Sequence, residues 1–202
     1  PAGACTGDTV LITFSGTASA LAQFYWSLGN SFIASTNGRD TFYVVWGSAG
    51  LDSVYLIIDD QGCLSSTTTH YITIGYKPTS TFNLTDTICS SQQAVAVYTG
   101  SGSALATYNW NFGGGTAIPG GTVSGPQNIT FSSPGFHLIT LMVDEQGCQS
   151  LTTLDSVFVV TAPTSTFTIS DDSLWGTVST VITCTRTGTS GALYNWNFNS
   201  AN

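Results

Sequence analysis

Tyr108-Asn109-Trp110-Asn111-Phe112-Gly113-Gly114-Gly115 is the stretch that decides the fold. Tyr108, Trp110 and Phe112 alternate with small polar residues. That is a period of two, so the three rings share one face of a strand. A strand with an indole at its centre and glycines at its exit reads as an inner strand of a β-sandwich. Two further copies of the signature occur, Phe24-Tyr25-Trp26-Ser27-Leu28 and Tyr194-Asn195-Trp196-Asn197-Phe198. Trp26, Trp110 and Trp196 therefore read as the core anchors of three copies of one module.

Three anchors set the repeat. Cys5, Cys89 and Trp175 each precede the tryptophan of their copy by the same distance. Asp59-Asp60-Gln61-Gly62-Cys63 returns one period later as Asp144-Glu145-Gln146-Gly147-Cys148. Pro78-Thr79-Ser80-Thr81-Phe82 returns at the same offset as Pro163-Thr164-Ser165-Thr166-Phe167. Separate anchors sharing one period indicate tandem duplication. The expected modules are 1–75, lacking a first strand; 76–161, complete; and 162–202, truncated. The chain opens at Pro1 and stops at Asn202 just after the third signature, which reads as a segment of something longer.

Within the second module, strands are expected at 79–85, 94–99, 108–112, 128–131, 137–143 and 154–160, with a loose Gly/Pro/Ser region at 113–126. Val10–Ser15 and Val178–Thr183 alternate like 94–99. Trp46 aligns with Phe131 and reads as core. No helical periodicity of useful length occurs. Short strands with turn signals at close, regular intervals imply an all-β chain of immunoglobulin-like sandwiches. The connections Gly75-Tyr76-Lys77 and Thr161-Ala162 are short, so a stiff head-to-tail rod is expected.

Composition narrows the function. Of 202 residues 42% are hydrophobic, enough for cores, while only 7% are charged, against about 25% in ordinary soluble domains. Three cations (Arg39, Lys77, Arg186) and a net charge of −8 leave no basic patch for nucleic acid or an anionic membrane surface. No apolar run approaches the roughly 18 residues of a membrane helix, and no secretory leader is visible.

The run Trp110-Asn111-Phe112-Gly113-Gly114-Gly115, followed by Ser133-Pro134-Gly135-Phe136-His137-Leu138-Ile139-Thr140-Leu141-Met142-Val143-Asp144, resembles the PKD domain. That family carries Trp-Asp-Phe-Gly-Asp-Gly and a later Pro-Gly-x-Tyr-x-Val-x-Leu-x-Val strand. Asn111 and Gly114 stand where the family has Asp, and His137 where it has Tyr. The first module degrades the motif to Tyr25-Trp26-Ser27-Leu28-Gly29-Asn30. The cysteine positions resemble PKD-like repeats of Bacteroidota surface proteins, including gliding-motility adhesins of the SprB type. The resemblance implies a secreted, cell-surface location, with neighbouring modules, surface polysaccharide or other surface proteins as partners.

Five cysteines in an acidic, lysine-poor chain point to an oxidising, extracellular setting. Cys5 with Cys63 and Cys89 with Cys148 is one pairing, within modules. Strand topology opposes it: Cys89 falls at the first loop and Cys148 at the sixth, at opposite ends of a sandwich. A strand of about seven residues spans over 20 Å, whereas a disulfide needs Cα atoms within about 7 Å. Head-to-tail stacking would instead bring Cys5 beside Cys148 as an inter-module staple. Cys63 and Cys89 would then pair with other modules. Free thiols are the third alternative. Cys184 aligns with Phe14 and Tyr98 and reads as a core thiol.

No catalytic constellation is present, so no enzyme is expected. His70 and His137 lie in different modules, and His137 is expected to pack inward. The abundant hydroxyls have no positioned base. Asp59-Asp60 and Asp171-Asp172 could supply oxygen ligands to Ca²⁺; a solvated turn is the plainer reading, and no cofactor is expected. Tyr43 could join a sugar platform or pack across strands. Five Asp-Ser/Thr-apolar triplets place Thr9, Ser53, Thr87, Ser156 and Ser173 in a pattern resembling the O-glycosylation acceptor of Bacteroidota. Turn capping by Asp, Ser and Thr would give the same pattern. Asn83-Leu84-Thr85 and Asn128-Ile129-Thr130 match the N-glycan sequon, which matters only on a eukaryotic secretory route.

The sequence thus supports three readings: a stalk segment of a large secreted adhesin for attachment or gliding, a carbohydrate- or protein-binding accessory sandwich, and a subunit of a self-assembling filament.

Overall fold

The computed structural model describes residues 3–170, 180–188 and 190–198. In the first module the strands are β1 (Ala4–Cys5), β2 (Thr9–Thr13), β3 (Gln23–Ser27), β4 (Phe32–Thr36), β5 (Thr41–Val45), β6 (Gly50–Asp60), β7 (Cys63–Leu64) and β8 (Thr68–Gly75). The second has β9 (Phe82–Leu84), β10 (Thr87–Cys89), β11 (Ala94–Tyr98), β12 (Thr107–Asn111), β13 (Thr116–Ile118), β14 (Gln127–Thr130), β15 (Gly135–Glu145), β16 (Cys148–Gln149) and β17 (Thr153–Val160). The third has β18 (Ser165–Ile169) and β19 (Ile182–Arg186). The chain is all-β, and among the described residues every strand pairing stays within one of these three groups.

The second module is an immunoglobulin-like sandwich. One sheet runs β10-β17-β15-β12, with β16 on β15; the other runs β13-β14-β11-β9. Its burial follows the period of two. Ala94 and Ala96, Tyr108 and Trp110, Ile139, Leu141 and Val143, and Val157 and Val159 all point inward and are buried, and the residues between them are not. Alternation of this kind needs one face on a core and one in solvent. The Trp110 ring meets Phe82 edge-on at 5.1 Å and stacks on Phe112 at 5.8 Å. Its indole N–H donates to the Val123 carbonyl at 3.0 Å. Gly113 ends the motif at φ 60°, where a Cβ would lie 2.5 Å from the Leu138 carbonyl oxygen. Asn111 Oδ1 accepts from Gly113 N–H at 3.0 Å.

The first module repeats this plan with one difference. Its sheets are β1-β8-β6-β3, with β7 on β6, and β2-β5-β4. No described strand corresponds to β9. Trp46 is 2% exposed, as its alignment with Phe131 requires. Trp26 is only half-buried, packing against Phe42 at 5.5 Å and donating to the Arg39 carbonyl at 3.3 Å.

Several sequence expectations need correction. Trp196 is 41% exposed and is not a buried anchor. It keeps the same two partners as Trp110, meeting Phe167 edge-on and stacking on Phe198, each at 5.8 Å. A single described strand pair, β18–β19, cannot enclose it. Residues 194–198 also form no strand. The region 113–126 is not wholly irregular, since β13 lies in it. Cys89 does not sit in a plain loop: it ends β10, which crosses to the opposite sheet and pairs parallel with β17. Of the expected strand Val178–Thr183, residues 178 and 179 lie outside the described residues.

Candidate functional site at the module joint

The joint between the first two modules is built from two short motifs. Strand β1 runs parallel to β8, setting Cys5 opposite Gly75 at the end of the first module. The other motif is the tip of hairpin β15–β16. Gln146 has φ 55° and Gly147 φ 94°. Two consecutive positive φ values make the tight turn that suits the twist of a hairpin. Asp144 Oδ1 accepts from Gly147 N–H at 3.0 Å and closes it. The next residue, Cys148, is thereby held on the face toward the first module.

Cys5 and Cys148 are joined by a disulfide, with Cα atoms 5.6 Å apart. Polar contacts also tie down the short connection between the modules. Lys77 N–H donates to Thr6 Oγ1 at 3.0 Å, and the Lys77 ammonium pairs with Asp8. Tyr76 O–H donates to Ser101 Oγ at 3.2 Å. Short connection, ion pair and covalent bond together leave the two modules little freedom at this point.

The equivalent positions of the next joint carry part of the same arrangement. Cys89 lies opposite Val160 as Cys5 lies opposite Gly75. Ala162 N–H donates to Ser90 Oγ at 3.1 Å, repeating Lys77 to Thr6. Cys63 follows a turn with Gln61 at φ 58° and Gly62 at φ 87°, closed by Asp59, as Cys148 does. Cys63 and Cys89 are exposed thiols, and Cys184 is half-buried opposite Phe167. The hydroxyls of Thr6 and Ser90 escaped the sequence reading. Their signal was present: each follows the first cysteine of its module.

The remaining candidates are dispersed. Thr9, Thr87 and Ser156 are exposed and Ser53 is half-buried; Ser173 lies outside the described residues. Asp155 Oδ1 accepts from Ser156 N–H and Asp52 Oδ1 from Ser53 N–H, each at 2.8 Å, so both aspartates cap local backbone. His137 sets its two ring nitrogens 2.9 and 3.0 Å from the carbonyls of Gly113 and Ser133, with its ring on Phe131. Asp59 closes its turn, and Asp60 accepts from Ser19 N–H and O–H at 2.8 and 2.6 Å. The Ser19 hydroxyl and amide hold the Asp60 carboxyl below the usual aspartate range. At Asp52 burial pushes the pKa up. Hydrogen bonds from Asn30 N–H, Ser53 N–H and the Trp46 indole outweigh it, and the net shift is down. Asp171 and Asp172 lie outside the described residues. Among the described residues no group of three or more His, Cys, Asp or Glu side chains could hold a metal ion, and no helix is long and apolar enough to cross a membrane.

One face also gathers exposed aromatics. Tyr25 on β3, Tyr55 on β6 and Tyr71 on β8 lie on the outward side of the first module, at diagonal positions across three neighbouring strands. Tyr43 is exposed on β5, in the other sheet.

No family model matches the chain, and no curated protein does. Solved structures similar to it include the D00-D0 domain of intimin, with 12% identity and a TM-score of 0.36 over 79% of this chain and 95% of that one. The EC22-24 segment of mouse Cadherin-23 has 12% identity and a TM-score of 0.33 over 93% and 74%. The tandem Ig repeats of Dlar have 8% identity and a TM-score of 0.31 over 80% and 94%. The fold assignment rests on the strand pairing above, not on these likenesses.

Proposed function

We propose that this chain is a stalk segment of a secreted, cell-surface adhesin: stacked sandwiches that hold a distal binding region away from the surface and carry tension. The observation that carries the proposal is the Cys5–Cys148 bond between successive modules. It lies in the path of force. Tension entering ahead of Cys5 crosses the disulfide to Cys148 and bypasses the chain between them, a sequence separation of 143. The bodies of the first module and most of the second then stay folded under load. The short connections and the repeated Lys77–Thr6 and Ala162–Ser90 contacts support stacking in one direction. On this reading Cys63 and Cys89 pair with further modules of the same kind, giving a ladder of staples along an array. The setting is extracellular, where disulfides persist. A low-charge, hydroxyl-rich surface suits O-glycosylation at Thr9, Thr87 and Ser156, which intact mass measurement of native material detects. Small-angle scattering tests the stalk: an elongated particle is expected, and a compact one would reject it.

A specific observation favours a second reading, a module that binds neutral polysaccharide. The exposed rings of Tyr25, Tyr55 and Tyr71 form an uncharged diagonal, interleaved with Ser27, Ser53 and Thr69. Aromatic faces with hydroxyls beside them suit the apolar faces and rims of sugars. Binding on a glycan array, lost in a Tyr25→Ala, Tyr71→Ala double variant, would establish it.

A further inference from the structure

The outward face of the second module's sheet β10-β17-β15-β12 carries a block of exposed apolar side chains. Phe136 is 78% exposed and Leu154 60%, and Leu138, Phe158 and Val160 are exposed with them. The register makes the block contiguous: Phe136 lies opposite Phe158, Leu138 opposite Ser156 and Thr140 opposite Leu154. The two phenyl rings touch, with centroids 4.6 Å apart. Thr87 flanks Phe158, and Asn111 flanks Thr140. Among the described residues of these four strands, Asp144 alone puts a carboxylate on this side. It lies at the hairpin tip, where Gly147 N–H engages it.

The fold does not require an apolar face here. One period earlier, the positions of Phe136, Leu138, Leu154 and Phe158 hold Leu51, Ser53, Thr69 and Thr73, in the same register. Three of those four are hydroxyls. Leu51 is 72% exposed although the second module follows it. A following module therefore does not cover this position, and the exposure of Phe136 belongs to the sheet face itself. A contiguous, uncharged, apolar patch of this kind marks an interaction surface.

We propose that this face pairs with the same face of a second copy of the chain, sheet on sheet about a two-fold axis. A two-fold interface must be self-complementary. Two copies of net charge −8 repel wherever their carboxylates meet, and this face lets them approach without such a meeting. A partner recognised by charge finds nothing to grip here. Four strands about 4.8 Å apart and about eight residues long, at roughly 3.3 Å each, give about 500 Å² per copy. The total of about 1,000 Å² is at the lower limit for a specific interface, so the pairing is weak and reversible. Thr87 and Ser156 lie within the face, and a sugar on either would hold the copies apart. The inference rests on the second module's surface and holds whether or not the chain serves as a stalk.

The test is sedimentation equilibrium of the full, unmodified chain over a concentration series. The mass should rise from 21.1 kDa toward twice that value, with half of the chains paired at a concentration on the order of 100 µM. A Phe136→Ser, Leu154→Ser double variant should pair at least about tenfold more weakly, since central apolar anchors dominate such contacts. Leu154→Lys, which sets like charges face to face, should do the same. Both should keep the parent's melting temperature when dilute, because the replaced side chains are exposed. Leu51→Ser, at the equivalent place in the first module, should leave the pairing unchanged. Added salt should tighten it by screening the repulsion. A chain still monomeric about tenfold above that concentration would overturn the proposal. So would association that survives in both second-module variants, or that salt weakens, since either would place the contact on another surface.

Discussion

The first and second modules share a strand order and a sequence period, yet enclose different cores. Thirteen buried side chains form a continuous cluster in the second module, with Trp110 at 9% exposure near its centre. Four form the cluster of the first, with Trp26 only at its margin. The inward-facing residues of β2, β6 and β8 are as apolar as their counterparts, so composition is not the reason. One strand is. Where β9 lies between the edges of β11 and β17, Phe82 fills the space and the indole is covered. In the first module no described strand takes that place, and the Trp26 indole is half-buried. A sandwich core is a property of two closed faces, so the burial of a shared motif depends on which strands cover it.

The largest effect expected from this contrast is at the tryptophans. Trp110→Ala should cost the second module about 3 to 5 kcal/mol, the range for large aromatics in closed cores. Trp26→Ala should cost the first module clearly less. Denaturant unfolding followed module by module checks both, and equal losses would break the comparison. A middle effect is expected at Asp52, which accepts from Trp46, Asn30 and Ser53 in the first module. Asp52→Ala should destabilise that module by about 1 to 3 kcal/mol, because the buried Trp46 indole N–H loses its acceptor.

Acid should discriminate the modules more gently. The folded-state pKa values of Asp52 and Asp60 lie below the ordinary 3.8. Such groups add stability above that value, and the contribution is lost as pH falls through the folded pKa. Both sit in the first module, so its melting temperature should drop first in a series taken downward from that ordinary value. A second-module transition that leads would contradict this. The smallest effect expected is none. The carboxylates of Asp59 and Asp60 are already engaged by Gly62 and Ser19, and a chelator should leave both transitions where they are. A chelator-dependent fall would reopen calcium.

Much of this was legible in residue order. Alternation at Tyr108-Asn109-Trp110 and its sisters marks an inner strand directly, and the doubled Asp-x-Gln-Gly-Cys turn marks the hairpin tip that carries Cys148. Strand topology already allowed Cys5 to face Cys148, though sequence alone left the within-module pairing open. What escaped has physical causes. Strand β10 is too short to show a period, and it is held by parallel pairing to β17, at the far end of the module's sequence. The acceptors of the two indoles, the carbonyls of Arg39 and Val123, are main-chain groups in irregular loops, where side-chain identity says nothing. Trp196 shares its motif with Trp110, but burial depends on what covers a ring, and a motif does not report that.

Force spectroscopy on the full chain, held by its two ends, tests the covalent joint most directly. With the disulfide intact, the chain between Cys5 and Cys148, a sequence separation of 143, should add no length at any force that spares covalent bonds. With a reductant present, unfolding of both modules should release about 500 Å more contour, at roughly 3.5 Å per residue. Traces of equal length in the two conditions would show that no bond bridges the modules, and the account would fail at its centre.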